Sequence, residues 1–377
     1  MTVALVYNVK TEVAPQSSLT AGLDHLPSER ESLVASSPPA ARVNDVYAEW
    51  DTMDTVDAVR AALEEVAPVV MIEANEHSVQ KFIDKRPDFA FNMSEGMHGV
   101  AREAQIPAIL DMLQIPYLGS DPLTLALCLD KSRAKEVLGY HRIPTAPFAL
   151  IRSMDEFEDA RVRFPAIVKP LHEGSSKGIY NSCVVRDPGE LEREVRTILT
   201  AYEQPALVEE FLPGREFTVA MLGNGHDVRV LPIVEIRFDA LPEGMNPIYS
   251  YEAKWVWDRS DNPLDIFTCP APIDEALRSE IESVCRRTYR VLRCRDWARI
   301  DVRLDARGKP NILEVNPLPG ILPKPEDNSC FPKAARAAGM TYNQLITTVL
   351  GIAMERCGLP TIPRGPNGQK ASHSHSL

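Results

Sequence analysis

The chain has 377 residues, of which 44% are hydrophobic, and its formal net charge is −12. This length is enough for two or three compact units that each bury a core. The acidic balance argues against an electrostatic grip on nucleic acid or on an anionic membrane surface, because both need surplus Lys and Arg. We therefore expect small-molecule partners.

Two further features of the composition concern the cellular compartment. No run of about 18 apolar residues appears, and the apolar start MTVALVYNVK is too short for a signal peptide and has no cleavage pattern after it. The seven cysteines are scattered and form no C-x-x-C pair, so reduced thiols are expected. These features predict a cytoplasmic protein without membrane association.

The first 122 residues alternate between strand and helix patterns, which predicts an N-terminal α/β domain with a parallel, helix-covered sheet. The predicted elements are strand 3–7, helix 55–67, strand 69–74, helix 76–86, strand 88–92 and helix 103–113. Residues 11–44 are rich in Ser, Pro, Ala and Glu and show no clear period. That composition predicts a mobile loop.

Residues 123–209 predict a central unit. Its elements are a helix over 124–138 with Lys131 and Lys135 on one face, strand FPAIVKP, strand CVVRD, a helix over 188–202, and strand PALVEEFL. Between two of these strands, residues 173–178 (EGSSKG) form a small, hydroxyl-bearing loop. Such a loop can present backbone N–H groups to phosphates, although a plain hairpin loop fits its composition equally well.

Residues 210–360 predict a third unit, which begins with two strands of an antiparallel sheet, REFTVAML and DVRVLPIVEI. The irregular stretch 239–270 holds several aromatic residues and Lys254, which is typical of a binding loop. Helices are predicted over 274–292 and 341–357. Residues 361–377 are rich in Gly, Pro, Ser and His, so we expect a disordered tail.

The segment 299–320 predicts a β-hairpin, RIDVRL and NILEVN, around a glycine-containing turn. A two-residue turn centred on Arg307 and Gly308 would place Asp301 opposite Glu314, on the face shared with Asn316. Two carboxylates and an amide oxygen suit a hard cation such as magnesium or manganese. From these three residues alone a solvated charged face is the commoner outcome, but the following PLPG places them at a strand end, where functional loops gather.

Nine motifs stand in the order FNMSEGMHG, IPYLGS, LDKSRAK, IVKP, EGSSKG, EEFLPGREFTV, YEAKW, ARIDVRLDARG and LEVNPLPG. Together they resemble the ATP-grasp ligases and, within them, the D-alanine–D-alanine ligase family, over about residues 85–350. The resemblance implies an α/β (α+β) fold of three α/β domains with ATP between the second and third. It also implies an ADP-forming ligase that makes a peptide-type amide bond through an acyl phosphate, and a homodimer.

The resemblance also implies site residues, with ATP and two Mg²⁺ or Mn²⁺ ions as cofactors. Asp301, Glu314 and Asn316 would hold the metals, in agreement with the hairpin pattern. The catalytic residues would be Arg299, Ser175 and Lys254, with Arg299 stabilising the reacting carboxyl group. The nucleotide would contact Lys131, Lys169, Glu173, Gly174, Ser175, Ser176, Gly178, Glu209, Glu210, Leu212, Glu216 and Lys254.

The chain departs from the family pattern on the amino-acid side. Tyr7 to Lys10 lacks the family's glycine-rich segment with its glutamate, Glu95 replaces a histidine, and Trp255 replaces the tyrosine that joins Ser175. The loop ILPKPEDNSC is longer than usual and places Ser329 where the family has its acceptor-carboxylate serine. The expected substrate residues are Glu95, Trp255, Arg299, Gly320 and Ser329.

These departures leave the two amino-acid substrates open. Glu95 fits a cationic or amine-bearing partner and equally an ordinary capping or ion-paired glutamate. Ligation of a different amino acid or acceptor in specialised metabolism is one alternative to D-alanyl-D-alanine synthesis. A nucleotide-binding homologue without turnover and a phosphotransferase are others, but the complete metal set beside Arg299 favours a ligase.

Overall fold

The structure is a computed structural model that describes residues 1–10, 49–158, 160–258 and 264–360. The predicted mobile loop over 11–44 and the predicted tail over 361–377 lie outside the described residues. The described strands form three sheets, of three, four and six strands. None of the helices in the described segments is both long enough and apolar enough to cross a bilayer. All seven cysteines carry free thiols.

The three-stranded sheet is parallel, as predicted. Strand β1 (Val3–Tyr7) lies between β2 (Val69–Glu73) and β3 (Phe89–Asn92). The helices of this region are α1 (Met53–Glu64), α2 (Ser78–Lys85) and α3 (Gln105–Leu113), the last preceded by a 3₁₀ turn. Helix α1 buries Val56, Val59 and Leu63, so its apolar face packs inward and not toward solvent.

Two helices replace the single helix predicted over 124–138, so that prediction was wrong. Helix α4 (Pro122–Leu129) and helix α5 (Lys131–Tyr140) are separated by Asp130, whose φ of −82° and ψ of 94° leave the helical region. The Asp130 side chain accepts a hydrogen bond from the backbone N of Arg133 and so caps α5. The break makes Lys131 the first residue of α5.

The four-stranded sheet is antiparallel and has the order β4 (Phe148–Ile151), β7 (Ala206–Glu210), β5 (Ala166–Pro170), β6 (Val184–Val185). Strand β4 was not predicted. The helix predicted over 188–202 ends earlier, since α6 (Pro188–Thr197) passes into a π-helical turn over Ile198–Tyr202. The loop EGSSKG follows β5, as the sequence predicts.

The six-stranded sheet is antiparallel. Its order is β11 (Phe267–Thr268), β10 (Val234–Ile236), β8 (Glu216–Leu222), β12 (Trp297–Leu304) and β13 (Pro310–Asn316), with β9 (Arg229–Val230) also paired to β8. The segment DVRVLPIVEI is two strands and not one, because Pro232 has no N–H for the ladder. The helices here are α7 (Glu275–Val291), α8 (Cys330–Ala337), which was not predicted, and α9 (Tyr342–Arg356).

One hydrophobic core joins the three-stranded and six-stranded sheets. Trp297 on β12 is fully buried, with edge-on aromatic contacts to Phe91 on β3 and Phe331 on α8 at ring-centre distances of 5.9 and 5.8 Å. The parallel sheet therefore packs directly against the antiparallel one. The proposed domain boundaries, near residues 122 and 209, stay predictions.

A buried polar cluster around Asp296 reinforces this junction. Arg356 on α9 donates from Nε and Nη2 to the two Asp296 oxygens, both at 2.8 Å, and the backbone N of Gly119 donates to Oδ2 at 2.8 Å. Asn224 Nδ2 donates to Oδ1 at 2.9 Å. Asp296 is fully buried and its φ is 64°. Its charge is therefore compensated by residues from three distant parts of the chain.

We predict that Asp296→Asn destabilises the protein by about 3 kcal/mol, because removing one charge of a buried pair leaves the other uncompensated. Asn tolerates the left-handed backbone at this position, so the variant isolates the loss of charge. Urea unfolding followed by circular dichroism measures the effect. Arg133→Ala, which breaks an exposed pair with Glu136, is the control and should unfold like the wild type. Equal unfolding midpoints for Asp296→Asn and the wild type would contradict the role of Asp296.

Candidate functional site

A cavity of about 640 Å³ is lined by residues of the four-stranded and six-stranded sheets. It collects the predicted nucleotide, metal, catalytic and substrate residues in one place. Gly178 alone among them does not line it. The predicted residues that do are Glu95, Lys131, Lys169, Glu173, Gly174, Ser175, Ser176, Glu209, Glu210, Leu212, Glu216, Lys254, Trp255, Arg299, Asp301, Glu314, Asn316, Gly320 and Ser329.

The hairpin of β12 and β13 places Asp301 opposite Glu314, as predicted, and Arg299 opposite Asn316. The predicted two-residue turn was wrong. The Asp305 N bonds to the Lys309 O at 2.9 Å, which closes a three-residue loop with Gly308 at a φ of 74°. That loop alone would place Leu313 opposite Asp301. An irregularity between Asp301 and Val302 shifts the pairing by one residue and restores Glu314 to that position.

The carboxylate of Asp301 accepts four hydrogen bonds, from three residues. Arg299 Nη2 donates to Oδ2 at 2.9 Å and Arg299 Nε to Oδ1 at 3.1 Å, while Thr218 Oγ1 donates to Oδ1 at 2.6 Å. Asn316 Nδ2 donates to Oδ2 at 3.2 Å. Burial disfavours the charge of Arg299, but the neighbouring Asp301 carboxylate outweighs this effect and raises the pKa of Arg299 above its usual range. Arg299 therefore stays charged and fixed beside the hairpin carboxylates.

The hairpin's oxygen donors fit a hard divalent cation. Asp301 and Glu314 are paired across the two strands, Asn316 is two residues beyond Glu314, and all three line the cavity. Within the described segments no group of three or more His, Cys, Asp or Glu side chains could hold a metal ion. This set instead combines two carboxylates with an amide oxygen, which is the ligand chemistry that magnesium accepts.

Three lysines pair with two carboxylates that line the cavity, the partly buried Glu314 and the buried Glu209. Lys131 Nζ lies 2.9 Å from Glu314 Oε1, and Lys169 Nζ lies 2.6 Å from Glu209 Oε2. Lys135 Nζ pairs with Glu209 Oε1. Burial raises the pKa of Glu209, but the two lysines outweigh it and lower the value to about 2. Glu209 is therefore ionised at neutral pH and holds both cations near the cavity.

Lys135 was missed as a site residue. Its signal was present, since a spacing of four residues places it on the same helical face as Lys131. Several polar residues that do line the cavity were missed as well, and no local pattern marks them; they include Glu49, Asp51, Glu103, Thr218 and Asp258. Thr218 becomes visible only through the pairing of β8 with β12, which places it opposite Asp301.

The glycine loop, residues 174–178, has an unusual backbone. Ser175 and Ser176, two consecutive non-glycine residues, adopt positive φ values of 53° and 61°, a conformation that is uncommon for side chains with a Cβ. Gly178 has a φ of 72°, and a Cβ there would overlap the ring of Pro170. Packing against Pro170 therefore accounts for glycine at this position, which explains why Gly178 lies outside the cavity lining.

The aromatic segment, residues 249–258, closes over the glycine loop. Ser176 Oγ donates to the backbone O of Tyr249 at 2.8 Å, and Trp255 Nε1 donates to the backbone O of Ser175 at 3.1 Å. The side-chain network expected of a tyrosine and Ser175 is replaced by a bond to the main chain. Trp255 thus holds the loop without engaging the Ser175 hydroxyl.

Lys254 on the aromatic segment is an unusual lysine. Burial, reinforced by the neighbouring charge of Arg299, lowers its pKa to about 8. The ammonium ion is therefore held in a place where its charge is unfavourable until an anion arrives. A negatively charged group bound beside Lys254 would relieve this cost.

Four carboxylates line one end of the cavity: Glu49, Asp51, Glu95 and Glu103. Burial and repulsion from Glu103 and Glu49 raise the pKa of Glu95 well above its usual range. Burial, then Glu49, raises the pKa of Glu103 to about 8. Arg102 donates to Glu49 Oε2 at 2.7 Å, and Lys10 and Lys131 act to lower the pKa values of Asp51 and Glu103, but burial outweighs them. A cation bound here would lower their mutual repulsion.

The opposite wall carries the predicted acceptor residues. Ser329 Oγ donates to the backbone O of Gly320 at 3.1 Å, which closes the base of the loop between them.

Glu173, predicted to contact nucleotide, has its carboxylate engaged elsewhere, since Lys177 Nζ lies 2.9 Å from Oε2 and Arg102 Nη2 lies 3.6 Å from the same oxygen. Lys131 Nζ instead donates to the Glu173 backbone O at 2.5 Å.

Comparison with known proteins gives concordant matches. Residues 138–351 match the family model described as D-ala D-ala ligase C-terminus. An uncharacterized protein, y4sG of Sinorhizobium fredii, is 36% identical over 316 residues, which cover 81% of this chain and 89% of that protein. The D-alanine–D-alanine ligase of Pelotomaculum thermopropionicum is 33% identical over 303 residues, which cover 77% and 87% of the two chains.

Solved structures show the same architecture. A crystal structure of D-alanine–D-alanine ligase from Bacillus anthracis complexed with ATP matches with a TM-score of 0.60 and 21% identity, covering 94% of this chain and 98% of that one. A second structure of that enzyme gives a TM-score of 0.65 at 22% identity, with the same coverage. The predicted ATP-grasp fold is therefore confirmed.

We predict that acetic anhydride labels Lys254 with a half-maximal rate near pH 8, because only the neutral amine reacts and its pKa is lowered to about 8. Lys324 is the internal control, since its pairing with Asp54 raises its pKa and shifts labelling to higher pH. Peptide mass spectrometry of the ligand-free protein reads both profiles. A Lys254 profile that rises only near the ordinary lysine value, about 10.4, would contradict the lowered pKa.

Proposed function

Because the chain belongs to the D-alanine–D-alanine ligase family of ATP-dependent ligases, we propose that it joins the carboxylate of one amino acid to the amine of another. The proposal is supported most strongly by one observation: Arg299 lies against Asp301, in the same cavity as Glu314, Lys131, Lys169 and the glycine loop. A cavity that holds cations, oxygen ligands and a fixed guanidinium together suits phosphoryl transfer followed by acyl transfer.

ATP would lie between the four-stranded and six-stranded sheets. Lys131, Lys169 and Lys254 would neutralise its phosphate oxygens, while the glycine loop would cover them with backbone N–H groups. Glu216, whose Oε2 accepts from Arg303 at 2.7 Å, and the neighbouring Glu209, Glu210 and Leu212 would flank the nucleoside. The residues thus position the reactants more than they react themselves.

Asp301, Glu314 and Asn316 would hold magnesium. Bound there, the ion supplies charge neutralisation at the transferring phosphoryl group. Arg299 already donates to Asp301, so the guanidinium lies next to that position and would stabilise the oxyanion that forms on the attacked carboxyl group. The same side chain thereby links the metal ligands to the acyl centre.

The reaction would proceed in two displacements. The substrate carboxylate oxygen attacks the γ-phosphorus, the bond to the bridging oxygen breaks, and ADP leaves. The neutral amine nitrogen of the acceptor then attacks the carbonyl carbon of the acyl phosphate and gives up one proton to solvent. Inorganic phosphate leaves with the electrons of the C–O bond. The first step converts a poor electrophile into a good one.

A second candidate differs in the substrate class. The carboxylates Glu49, Asp51, Glu95 and Glu103 favour an amino acid or acceptor that carries an additional positive charge. Burial raises the pKa values of Asp51, Glu95 and Glu103, and repulsion from neighbouring carboxylates adds to the shifts of Glu95 and Glu103. D-alanine has no such group. The ligase chemistry is the same in both candidates, and only the amino acid accepted at this end of the cavity changes.

The family resemblance further supports a homodimer and a cytoplasmic location, both of which belong to this proposal. Sedimentation velocity of the purified protein tests the first, and a single species of monomer mass at micromolar concentration would contradict it.

We predict that the protein releases ADP with a matched pair of amino acids and forms their amide. D- and L-amino acids, singly and in pairs and including ones with basic side chains, would be assayed by coupled ADP detection and by mass spectrometry of the products. ADP release without any amide would point to a phosphotransferase, and no release with any pair would point to a nucleotide-binding homologue.

Glu95→Gln separates the two substrate classes. If the accepted amino acid is cationic, we expect kcat/KM for it to fall about tenfold, which corresponds to the loss of about 1.4 kcal/mol of charge interaction. Values of kcat/KM for neutral amino acids should not change. Glu136→Gln, an exposed change on α5, is the matched control. Equal loss for neutral and cationic amino acids would exclude selection by charge at Glu95.

We predict that Arg299→Ala binds ATP normally but lowers ligation about 100- to 1000-fold, the usual loss for one oxyanion donor. ATP affinity by calorimetry and amide formation by mass spectrometry would be measured on the same preparation, with Mg²⁺ and with Mn²⁺. Because Arg299 also holds Asp301, weakened ATP binding in both metals would assign Arg299 to the metal site instead. Unchanged turnover would remove it from the mechanism.

A further inference from the structure

Asp258 lies where two segments that line the cavity meet: the aromatic segment and the acceptor loop, residues 321–330. Its carboxylate accepts a hydrogen bond from Tyr249 Oη to Oδ2 at 2.7 Å and one from Asn328 Nδ2 to Oδ1 at 2.7 Å. The backbone N of Leu264 donates to Oδ1 at 2.9 Å. Bonds to an ionised acceptor are about twice as strong as neutral ones.

The Tyr249 end of this network leads to the glycine loop. The Tyr249 backbone O accepts the hydroxyl of Ser176 at 2.8 Å, and its ring packs edge-on against Phe267 at 5.3 Å between ring centres. Burial and the nearby carboxylate raise the pKa of Tyr249 well above its usual range, so the phenol remains a hydrogen-bond donor. The glycine loop and Asp258 are therefore joined through a single residue.

The Asn328 end leads to the acceptor loop. Asn328 has a left-handed backbone, with φ of 53° and ψ of 26°, and its Nδ2 also lies 3.3 Å from the backbone O of Leu264. Asn is one of the few residues that adopt this conformation readily. The next residue is Ser329, and α8 begins directly after it. Holding Asn328 therefore fixes the position and direction of Ser329.

We propose that Asp258 is a positioning residue that couples the acceptor loop to the glycine loop through the bonds joining Ser176, Tyr249, Asp258 and Asn328. The inference rests on the proposed ligase function and deepens it. Tyr249, Asp258, Asn328 and Ser329 all line the cavity, so the coupling acts at the place where the amine would enter. The acceptor amino acid would be held in place by the acceptor loop when the glycine loop covers the phosphates.

The chemical consequence concerns the fate of the acyl phosphate. When the amine is correctly placed, its nitrogen attacks the carbonyl carbon and phosphate leaves. When the acceptor loop is loose, the oxygen of a water molecule attacks the same carbon, and the products are the original carboxylate and phosphate. Loss of coupling therefore appears as ADP released without amide.

The test compares Asp258→Asn with the wild type, using the amino-acid pair that the wild type joins. The asparagine keeps the size of the side chain. It has no negative charge and only one acceptor oxygen, so it cannot replace both carboxylate oxygens that accept from Tyr249 and Asn328. We expect the KM of the acceptor to rise about 10- to 100-fold, the range for loss of a hydrogen bond to a charged group. The KM of ATP should change less than twofold, and the ratio of ADP to amide should rise above one.

Two further variants keep the test decisive. Tyr249→Phe removes one bond to Asp258 and leaves the backbone contact to Ser176, so it should raise the same ratio even if Asp258→Asn folds poorly. Asp265→Asn, whose side chain is 91% exposed in the same part of the chain, is the matched control and should behave like the wild type.

The outcomes are distinguishable. A ratio of ADP to amide that stays at one in both Asp258→Asn and Tyr249→Phe, with wild-type KM for the acceptor, overturns the coupling and leaves the ligase function standing. A merely structural role would lower the thermal midpoint without changing that ratio, and this result also overturns the inference. Absence of amide from the wild type with every pair overturns the ligase function and the coupling together.

Discussion

The site depends on the pairing of buried and partly buried carboxylates with cations that lie beside them in the fold. Arg299 holds Asp301 within β12, Lys131 brings α5 to Glu314 on β13, and Lys169 joins β5 to Glu209 on β7. Burying an ion without a partner costs several kcal/mol, so each pair favours the arrangement that keeps its members together. The result is a cavity whose charged side chains are held in position by their ion pairs.

The strand that carries Arg299 and Asp301 also anchors the molecule. Asp296, immediately before β12, binds Arg356 and the backbone of Gly119, and Trp297 packs against Phe91 and Phe331. Arg299 and Asp301 follow within the next few residues of the same strand. Because β12 is fixed at its beginning by charge and by aromatic packing, the orientation of its polar side chains is fixed as well.

Several elements were predictable because their signals are local. The strand alternation placed Asp301 and Glu314 on a shared face, and the caps Asp274 and Thr341 delimit helices α7 and α9 close to the predicted ends. The pairing of Asp301 with Glu314 was correct although the turn was not, since an irregularity in the ladder compensated for a longer loop. The break at Asp130 was missed because the apolar pattern continues across it. The signal that was overlooked is local, namely an aspartate that caps α5.

The sequence by itself determined the group of residues that we propose for nucleotide and metal, because those residues occur in short motifs whose spacing fixes a strand face or a helical turn. Only the tertiary structure decided the acidic end and the links between loops. Glu49 and Arg102 are 53 residues apart, and Asp258 and Asn328 are 70 apart. The strength of such contacts depends on burial and on the folding back of distant segments, which no local spacing encodes.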